Sequence, residues 1–455
     1  MNVCGRLLVG LGTLLIAGCA VGPEYQRPEF DVAPRYKEED GWKPSEPNDV
    51  LDRGAWWEIY GDPVLSGLEQ QADVSNENVK AAAAAVGQAQ AAVREAQAGF
   101  WPTLAAGISH QWELSAVWNL DIWGQIRRST QSNRANAQAS EAALAAARLS
   151  VQSQLASTYF QLRTQDRLQT LLNDTVAAQE ESLRIAENRY RFGVVAKADV
   201  VTAQTQLLNS QSQQTNVVIQ RSLLEHALAV LIGKQPAEFS LQAAPMPVDV
   251  PTVPLGLPST LLERRPDIAE AERKVAAASA QIGVARAAFF PSLSINGSYE
   301  QKIDAFGKLS NTSNRVWAFG PALAQTLFAG GLHRAQAAEA RAAFDASVDN
   351  YRQTVLSGFQ QVEDELVTLR VLEQQSGIVN AAVAAATQAE ALTLNQYKAG
   401  TVPYSSVITA QTTRLNSEVT ALTVLMNRLT ASVTMVEALG GGWNAARLQP
   451  SADGH

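Results

Sequence analysis

The same series of patterns occurs twice in this chain, about 200 residues apart. Ala96-Gln97-Ala98-Gly99-Phe100-Trp101-Pro102-Thr103-Leu104 matches Ala285-Arg286-Ala287-Ala288-Phe289-Phe290-Pro291-Ser292-Leu293. Leu120-Asp121-Ile122-Trp123-Gly124 loosely matches Thr326-Leu327-Phe328-Ala329-Gly330, and a basic residue follows each, Arg128 and Arg334. Tyr190-Arg191-Phe192-Gly193, followed by Val200-Val201-Thr202-Ala203-Gln204, matches Tyr397-Lys398-Ala399-Gly400 followed by Val407-Ile408-Thr409-Ala410-Gln411. Alanine-rich helices can yield one such pair by chance. Three in register mark the duplication of a whole domain, because the period far exceeds a solenoid unit.

Each unit reads as helix, β-hairpin, very long helix, turn and long helix. The first very long segment follows Gly124 and reaches Tyr190 with neither proline nor glycine inside. About 66 helical residues make a rod roughly 100 Å long. Its counterpart runs from Gly331 to Lys398, with Gly358 and Gly377 as weak spots. Ordinary helices have about 11 or 12 residues, so the rods need packing partners along their length. Val355, Phe359, Val362, Leu366 and Leu369 follow the alternating steps of a coiled-coil seam, as do Leu155, Tyr159 and Leu162. Alanines such as Ala142, Ala143, Ala145, Ala146 and Ala147 allow close approach on further flanks, and Gln, Asn, Ser and Thr fill a wet face. This suits a curved wall, although periodicity alone would equally allow a plain antiparallel coiled coil.

The hairpins favour the wall. Ser292 to Glu300 alternates Leu293, Ile295 and Tyr299 with Ser and Asn, and Val316 to Phe328 brings Trp317, Phe319 and Leu323 to one face. In the first unit Leu104, Ile108 and Trp112 alternate with Thr103, Ser109 and Gln111, and Trp118, Leu120 and Ile122 with Asn119 and Asp121. Such strands, polar on one face and apolar on the other with aromatics near the ends, suit an outer-membrane barrel. Four cannot enclose a lumen, so the chain must oligomerise. The first hairpin is short, and Ser115-Ala116 is poor turn chemistry. Either its outer loop is minimal or part of a strand is missing.

At the N-terminus, Arg6 precedes an apolar run, Leu7 to Ala17, too short for a lasting membrane helix and matched to a secretory signal. Leu15-Ile16-Ala17-Gly18-Cys19 resembles a bacterial lipobox, with Cys19 as the lipidated residue and Ala20 in place of a retention aspartate. Residues 1–18 then form the signal peptide, and removal of Cys4 with it leaves no thiol for a disulfide or metal. No later apolar run reads as long enough for a membrane helix.

Composition excludes other classes. The net charge of −8 is spread along the chain with no basic run, which argues against nucleic acid. The four histidines, His110, His226, His333 and His455, lack metal-ligand spacing, and no nucleophile elbow or phosphate loop is present. Glu363, Asp364 and Glu365 read as a solvated helix face rather than a catalytic group. The expectation is a non-enzyme without cofactor, metal or catalytic residue.

Several short elements resemble one family. Gly22-Pro23-Glu24-Tyr25 follows the lipobox, Trp56-Trp57 precedes Tyr60-Gly61-Asp62-Pro63, and Leu261-Leu262-Glu263-Arg264-Arg265-Pro266-Asp267-Ile268 opens the second unit. With the Tyr-x-x-Gly turns, these are similar to the TolC-type outer membrane factors, specifically the lipoprotein (NodT/OprM-like) branch found with multidrug efflux pumps. The resemblance covers the chain from residue 19 to about 443. It implies a mainly α fold with a membrane β-barrel portion, a homotrimer with twelve pooled strands and an α-helical periplasmic barrel. It also implies a passive duct for drugs or toxic compounds in the outer membrane of a Gram-negative cell. A periplasmic adaptor and an inner-membrane transporter would complete the system. A type I secretion component and a lipid-tethered coiled-coil scaffold without a pore are the alternatives. The periplasmic adaptor itself does not fit two helical hairpins.

The expected organisation is an extended arm at 19–55, a first unit at 56–233 with its hairpin at 103–123, and a proline-rich strap at 234–265. A second unit at 266–443 carries its hairpin at 292–328, and a fraying tail at 444–455 follows. The tips, 191–199 and 398–406, are where the resemblance implies a gate and adaptor docking. Gly193 and Gly400 permit the reversals. Tyr397 and Asp199 match family positions that bond between neighbouring helix pairs, while Ser406 and Thr409 stand where acidic residues are expected. Tyr190 and Tyr397 could instead merely pack at turns, and Asp199 could cap a helix.

Overall fold

The computed structural model describes residues 20–39, 54–108, 111–247, 249–253, 261–302 and 315–448. The signal peptide, Cys4, Cys19, His110, His455 and the end of the tail lie outside them.

The first unit begins with a 3₁₀ turn, Trp56–Tyr60, and helices α1 (Pro63–Ser75) and α2 (Glu77–Ala98). Strands β1 (Thr103–Ile108) and β2 (Gln111–Leu120) lead into α3 (Gln125–Arg191) and α4 (Lys197–Leu231). The second unit repeats the order with α5 (Leu261–Arg264), α6 (Pro266–Ala287), β3 (Ser292–Lys302), β4 (Arg315–Ala324), α7 (Leu332–Ala399) and α8 (Tyr404–Ala438). The rods α3 and α7 have 67 and 68 residues, and each spans the full height of the wall. Beside α3, α2 covers the upper part and α4 the lower; beside α7, α6 and α8 do the same. Side by side the wall therefore runs α2-α3-α6-α7 above and α4-α3-α8-α7 below.

Where sequence suggested one opening helix per unit, each opens with two, and the break is what closes the unit. Asn76 caps α2 through the Asn78 and Val79 amides, and its Nδ2 donates to Leu231 O, 2.7 Å away at the end of α4. Arg265 stands at the matching place before α6. Its guanidinium forks onto Asp267 at 3.0 and 2.6 Å, and Nη1 reaches Gln361 of α7 and Ala438 O at the end of α8. Gly358 leaves room for that guanidinium, since a Cβ there would sit 3.4 Å from it. The supposed weak spot in the rod is thus a seat for Arg265.

The core gathers at mid-height. Trp56, Leu65, Leu155, Tyr159, Phe160, Val362, Leu366 and Leu429 are buried there with Trp57 and Val436. The Tyr-Gly-Asp-Pro element is structural: Asp62 caps α1, Pro63 takes its first position, and Tyr159 Oη donates to Asp62 at 2.6 Å. The strap is bound by ions. Asp166 accepts from Arg163 at 2.9 Å and Arg221 at 2.7 Å, while those two arginines donate to strap carbonyls Gln242 and Leu241. The arm also lies on the wall: Arg128 pairs with Glu24, Tyr25 donates to Glu272, and Glu363 accepts the Lys37 and Glu38 amides.

Some boundaries differ from expectation. β2 ends at Leu120 because the Asp121 carboxylate turns to accept the Ile126 and Arg127 amides at the start of α3. β4 ends at Ala324, so Leu327 and Phe328 are not strand residues. Ala445–Leu448 forms a 3₁₀ turn rather than a frayed tail. By length and composition alone α8 is apolar enough to cross a membrane, contrary to what the sequence suggested. Leu429, Val433, Met435 and Val436 at its upper end are buried instead in the mid-height core.

Candidate functional site: an open amphipathic sheet and a four-helix tip

The strands form one antiparallel sheet in the order β1-β2-β3-β4. Ile108 pairs with Trp112, so the first hairpin has a minimal outer connection and a short β1 of six residues. Ser115 and Ala116 are mid-strand, opposite Ala105 and Leu104, and make no turn. Directly paired residues share a face. One face carries Leu104, Ile108, Trp112, Leu114, Trp118, Leu120, Leu293, Ile295, Tyr299, Trp317, Phe319 and Leu323. The other carries Thr103, Ser115, Asn119, Ser294, Asn296 and Ser298, with Glu113 opposite Glu300. The apolar face is largely uncovered, with Trp317 76% and Phe319 74% exposed. At the base of the sheet Trp123 stacks on Phe290 at 4.6 Å and donates to Pro291 O. Among the described residues, β1 and β4 each pair on one side alone.

At the opposite end, Gly193 and Gly400 have φ of +69° and +81°, the left-handed conformation that lets each chain turn back on itself. All four helices meet just above these turns around buried Ala186, Ala203, Tyr397, Tyr404 and Val407. Tyr397 and Tyr404 pack with ring centroids 5.2 Å apart. Arg189 of α3 lies over the Tyr397 ring at 4.6 Å and donates to Tyr397 O, joining one helix pair to the other. Burial raises the Tyr397 hydroxyl above its ordinary pKa against the opposing Arg189. Burial likewise pushes Tyr404 up to about 12, although a Ser182 hydrogen bond favours its ionised form.

Of the residues singled out in the sequence, Tyr397 is central to this cluster and Gly193 and Gly400 shape it. Asp199 is in the first turn of α4 and raises both tyrosines electrostatically, but the N-cap is Ala196 and has no side-chain bond. Tyr190 is exposed and outside the cluster, as is Thr409; Ser406 is half-buried. Arg189 and Tyr404 were not singled out. Arg189 is one of three arginines in eight residues, and only the approach of α7 distinguishes it. Tyr404 follows Pro403 at the start of α8, a position that could have marked it as a hydrophobic anchor.

A family model described as outer membrane efflux protein matches residues 68–234 and 257–441. The chain belongs to the outer membrane efflux protein family. It is 33% identical over 435 residues to the pyoverdine export outer membrane protein OpmQ of Pseudomonas aeruginosa, covering 88% of this chain and 90% of that one. It is 28% identical over 468 residues to the probable efflux pump outer membrane protein TtgC of Pseudomonas putida, covering 96% and 95%. Among solved structures, the open state of the Neisseria gonorrhoeae MtrE outer membrane channel superposes with a TM-score of 0.82 at 26% identity, covering 94% of this chain and 99% of that one. As an outer membrane efflux protein, the chain has the strands for the membrane and the helical wall for the periplasm. The TolC-type resemblance and the fold expected from it hold.

Proposed function

We propose that three copies of this chain assemble into a passive duct that carries small molecules, drugs or toxic compounds among them, from the periplasm to the exterior. The observation that carries this reading is the uncovered apolar face on a sheet whose two edges are unpaired among the described residues. Free edges demand partners, and a closed barrel removes them. Pairing β4 of one copy with β1 of the next would close twelve strands with Ser, Asn and Thr toward the bore.

The helical wall supports the same ring. Its free flanks, α4 and α7, carry Leu208, Val218 and Leu223 on one side and Leu356, Val371 and Ile378 on the other, all at least half exposed. Such stripes call for a head-to-tail contact. The tip residues Tyr190, Gly193, Asp199, Tyr397, Gly400, Ser406 and Thr409 would close the resting duct. Exposed Phe192 and Val194 would face a periplasmic adaptor, through which an inner-membrane transporter supplies the energy. Lipidation at Cys19 is supported by the arm: Val21 N donates to Trp123 O at 3.0 Å, which holds Ala20 at the base of the sheet.

The test is made with the mature protein in detergent and in planar bilayers. Trimers by native mass and discrete single-channel currents are expected, with palmitate incorporation lost in Cys19→Ser. Persistent monomers without conductance would reduce the chain to a tethered scaffold.

A further inference from the structure

A cavity of about 890 Å³ opens under the strap, outside the tip and the sheet. Its roof is the strap segment 243–246, and its walls come from α3, α7 and α8, so it spans the seam between the two helix pairs. The floor is apolar: Leu171, Val383, Leu422 and Leu425 face it. Four charged residues line it as well, and their employment is uneven.

Asp166 is fully engaged by Arg163, Arg221 and the Ala244 amide. Glu418 has one buried oxygen without a hydrogen-bond partner; burial raises its pKa, while Arg414 and Arg167 favour its ionised form. Arg414 lies 4.0 Å from Glu418 but is committed to Glu390 at 2.7 Å. The two cations lining the cavity are different. Arg428 donates to Ser376 Oγ at 3.3 Å and has no carboxylate partner among the described residues. Arg167 makes no ion pair or hydrogen bond among them. Two guanidiniums with no carboxylate at ion-pair distance among the described residues, Arg167 sensed by Glu418 only at longer range, therefore flank an apolar floor and can fork onto an anion.

We propose that this cavity is a binding site for a compact anionic amphiphile, its carboxylate or sulfonate held by Arg167 and Arg428 and its apolar body laid on Leu422, Leu425 and Val383. The volume suits a drug-sized molecule. The ligand meets the wall from the strap side. Glu418, Leu422 and Leu425 cluster within about 60° on α8, and the exposed Thr409, Thr420 and Thr423 lie roughly 140–200° away from Glu418. A bound molecule touches α3, α7, α8 and the strap together, so occupancy ties the two helix pairs at mid-wall.

The test uses the full-length protein in nanodiscs and two probes with the same ring skeleton: anionic anilinonaphthalene sulfonate and neutral phenylnaphthylamine. Fluorescence titration is read as the difference from Leu422→Trp, whose indole takes the place of the ligand's apolar body on the floor. One saturable sulfonate site per chain is expected in the native protein, with the neutral probe at least about tenfold weaker, the equivalent of one charge-assisted hydrogen bond. Arg167→Gln with Arg428→Gln should weaken the sulfonate by at least the same factor, with oligomeric state and conductance retained as folding controls. Equal binding of the two probes, or a site that persists in Leu422→Trp, overturns the proposal. The probe comparison needs no variant, so it decides even if the double substitution fails to fold.

Discussion

At position 440 the chain has no space for a side chain. Gly440 has φ of +91°, and a Cβ there would lie 2.1 Å from Arg264 O; Gly233, its counterpart, would place one 2.3 Å from Ser75 O. Gly440→Ala should therefore cost more than the 1–3 kcal/mol of order expected for left-handed strain alone, because the backbone must also move. Gly67→Ala on α1, with nothing within 4 Å, should instead stabilise by about 0.5–1 kcal/mol. Thermal midpoints of the two variants should shift in opposite directions. Glu69 makes a second residue-scale test. It is completely buried, its carboxyl has no partner, and burial together with nearby Asp73 raises its pKa to about 9. A raised folded-state pKa means that stability is fully present below the unfolded value and drains as pH climbs toward 9. The denaturation midpoint should fall from pH 6 to pH 9 in the native protein and fall much less in Glu69→Gln; equal slopes would refute the assignment. Neither feature was legible in the sequence. A glycine's φ and a carboxylate's burial depend on which distant segment arrives beside them.

Arg189 joins α3 to α7 in the buried tip. Removing its cation–π contact and its hydrogen bond to Tyr397 O should loosen the junction by about 1–2 kcal/mol. Resting conductance in planar bilayers should rise in Arg189→Ala. Tyr397→Phe should change little, because the buried Tyr397 hydroxyl has no hydrogen-bond partner among the described residues. If Tyr397→Phe opened the duct as far as Arg189→Ala, the hydroxyl would have to bond to a neighbouring copy, and packing within the chain would not be the closing force. Elements of this size were largely legible. Rods free of proline, turns at Gly193 and Gly400, and two-residue alternation in the strands are local signals, and each repeats. The breaks at Asn76 and Arg265 were less visible because each is fixed by a contact with the end of the return helix, α4 or α8, reached only after the whole unit folds. Ile122 looked like a strand residue for a similar reason: alternation continues past Leu120, but the Asp121 carboxylate prefers the amides of α3.

At the scale of the molecule, duplication accounts for both incompleteness and its remedy. Two units placed side by side give a strip with a left edge, β1 and α4, and a right edge, β4 and α7, and the edges differ. A strip with unlike edges cannot pair through a two-fold axis; it closes by repetition around a ring or grows without end. The strands favour closure, since a membrane tolerates no free edge. In the proposed ring the interface would contain α4 from one copy and α7 from the next along its whole lower length. Val218→Asp on α4 and Val371→Asp on α7 should each abolish trimers on native gels, because either one buries an unpaired charge against an apolar stripe. Thr420→Glu, on the wet face of α8, carries the same charge and should leave assembly intact. Should all three variants assemble alike, the stripes would face water in the working protein, and the ring would have to be held by the strands alone.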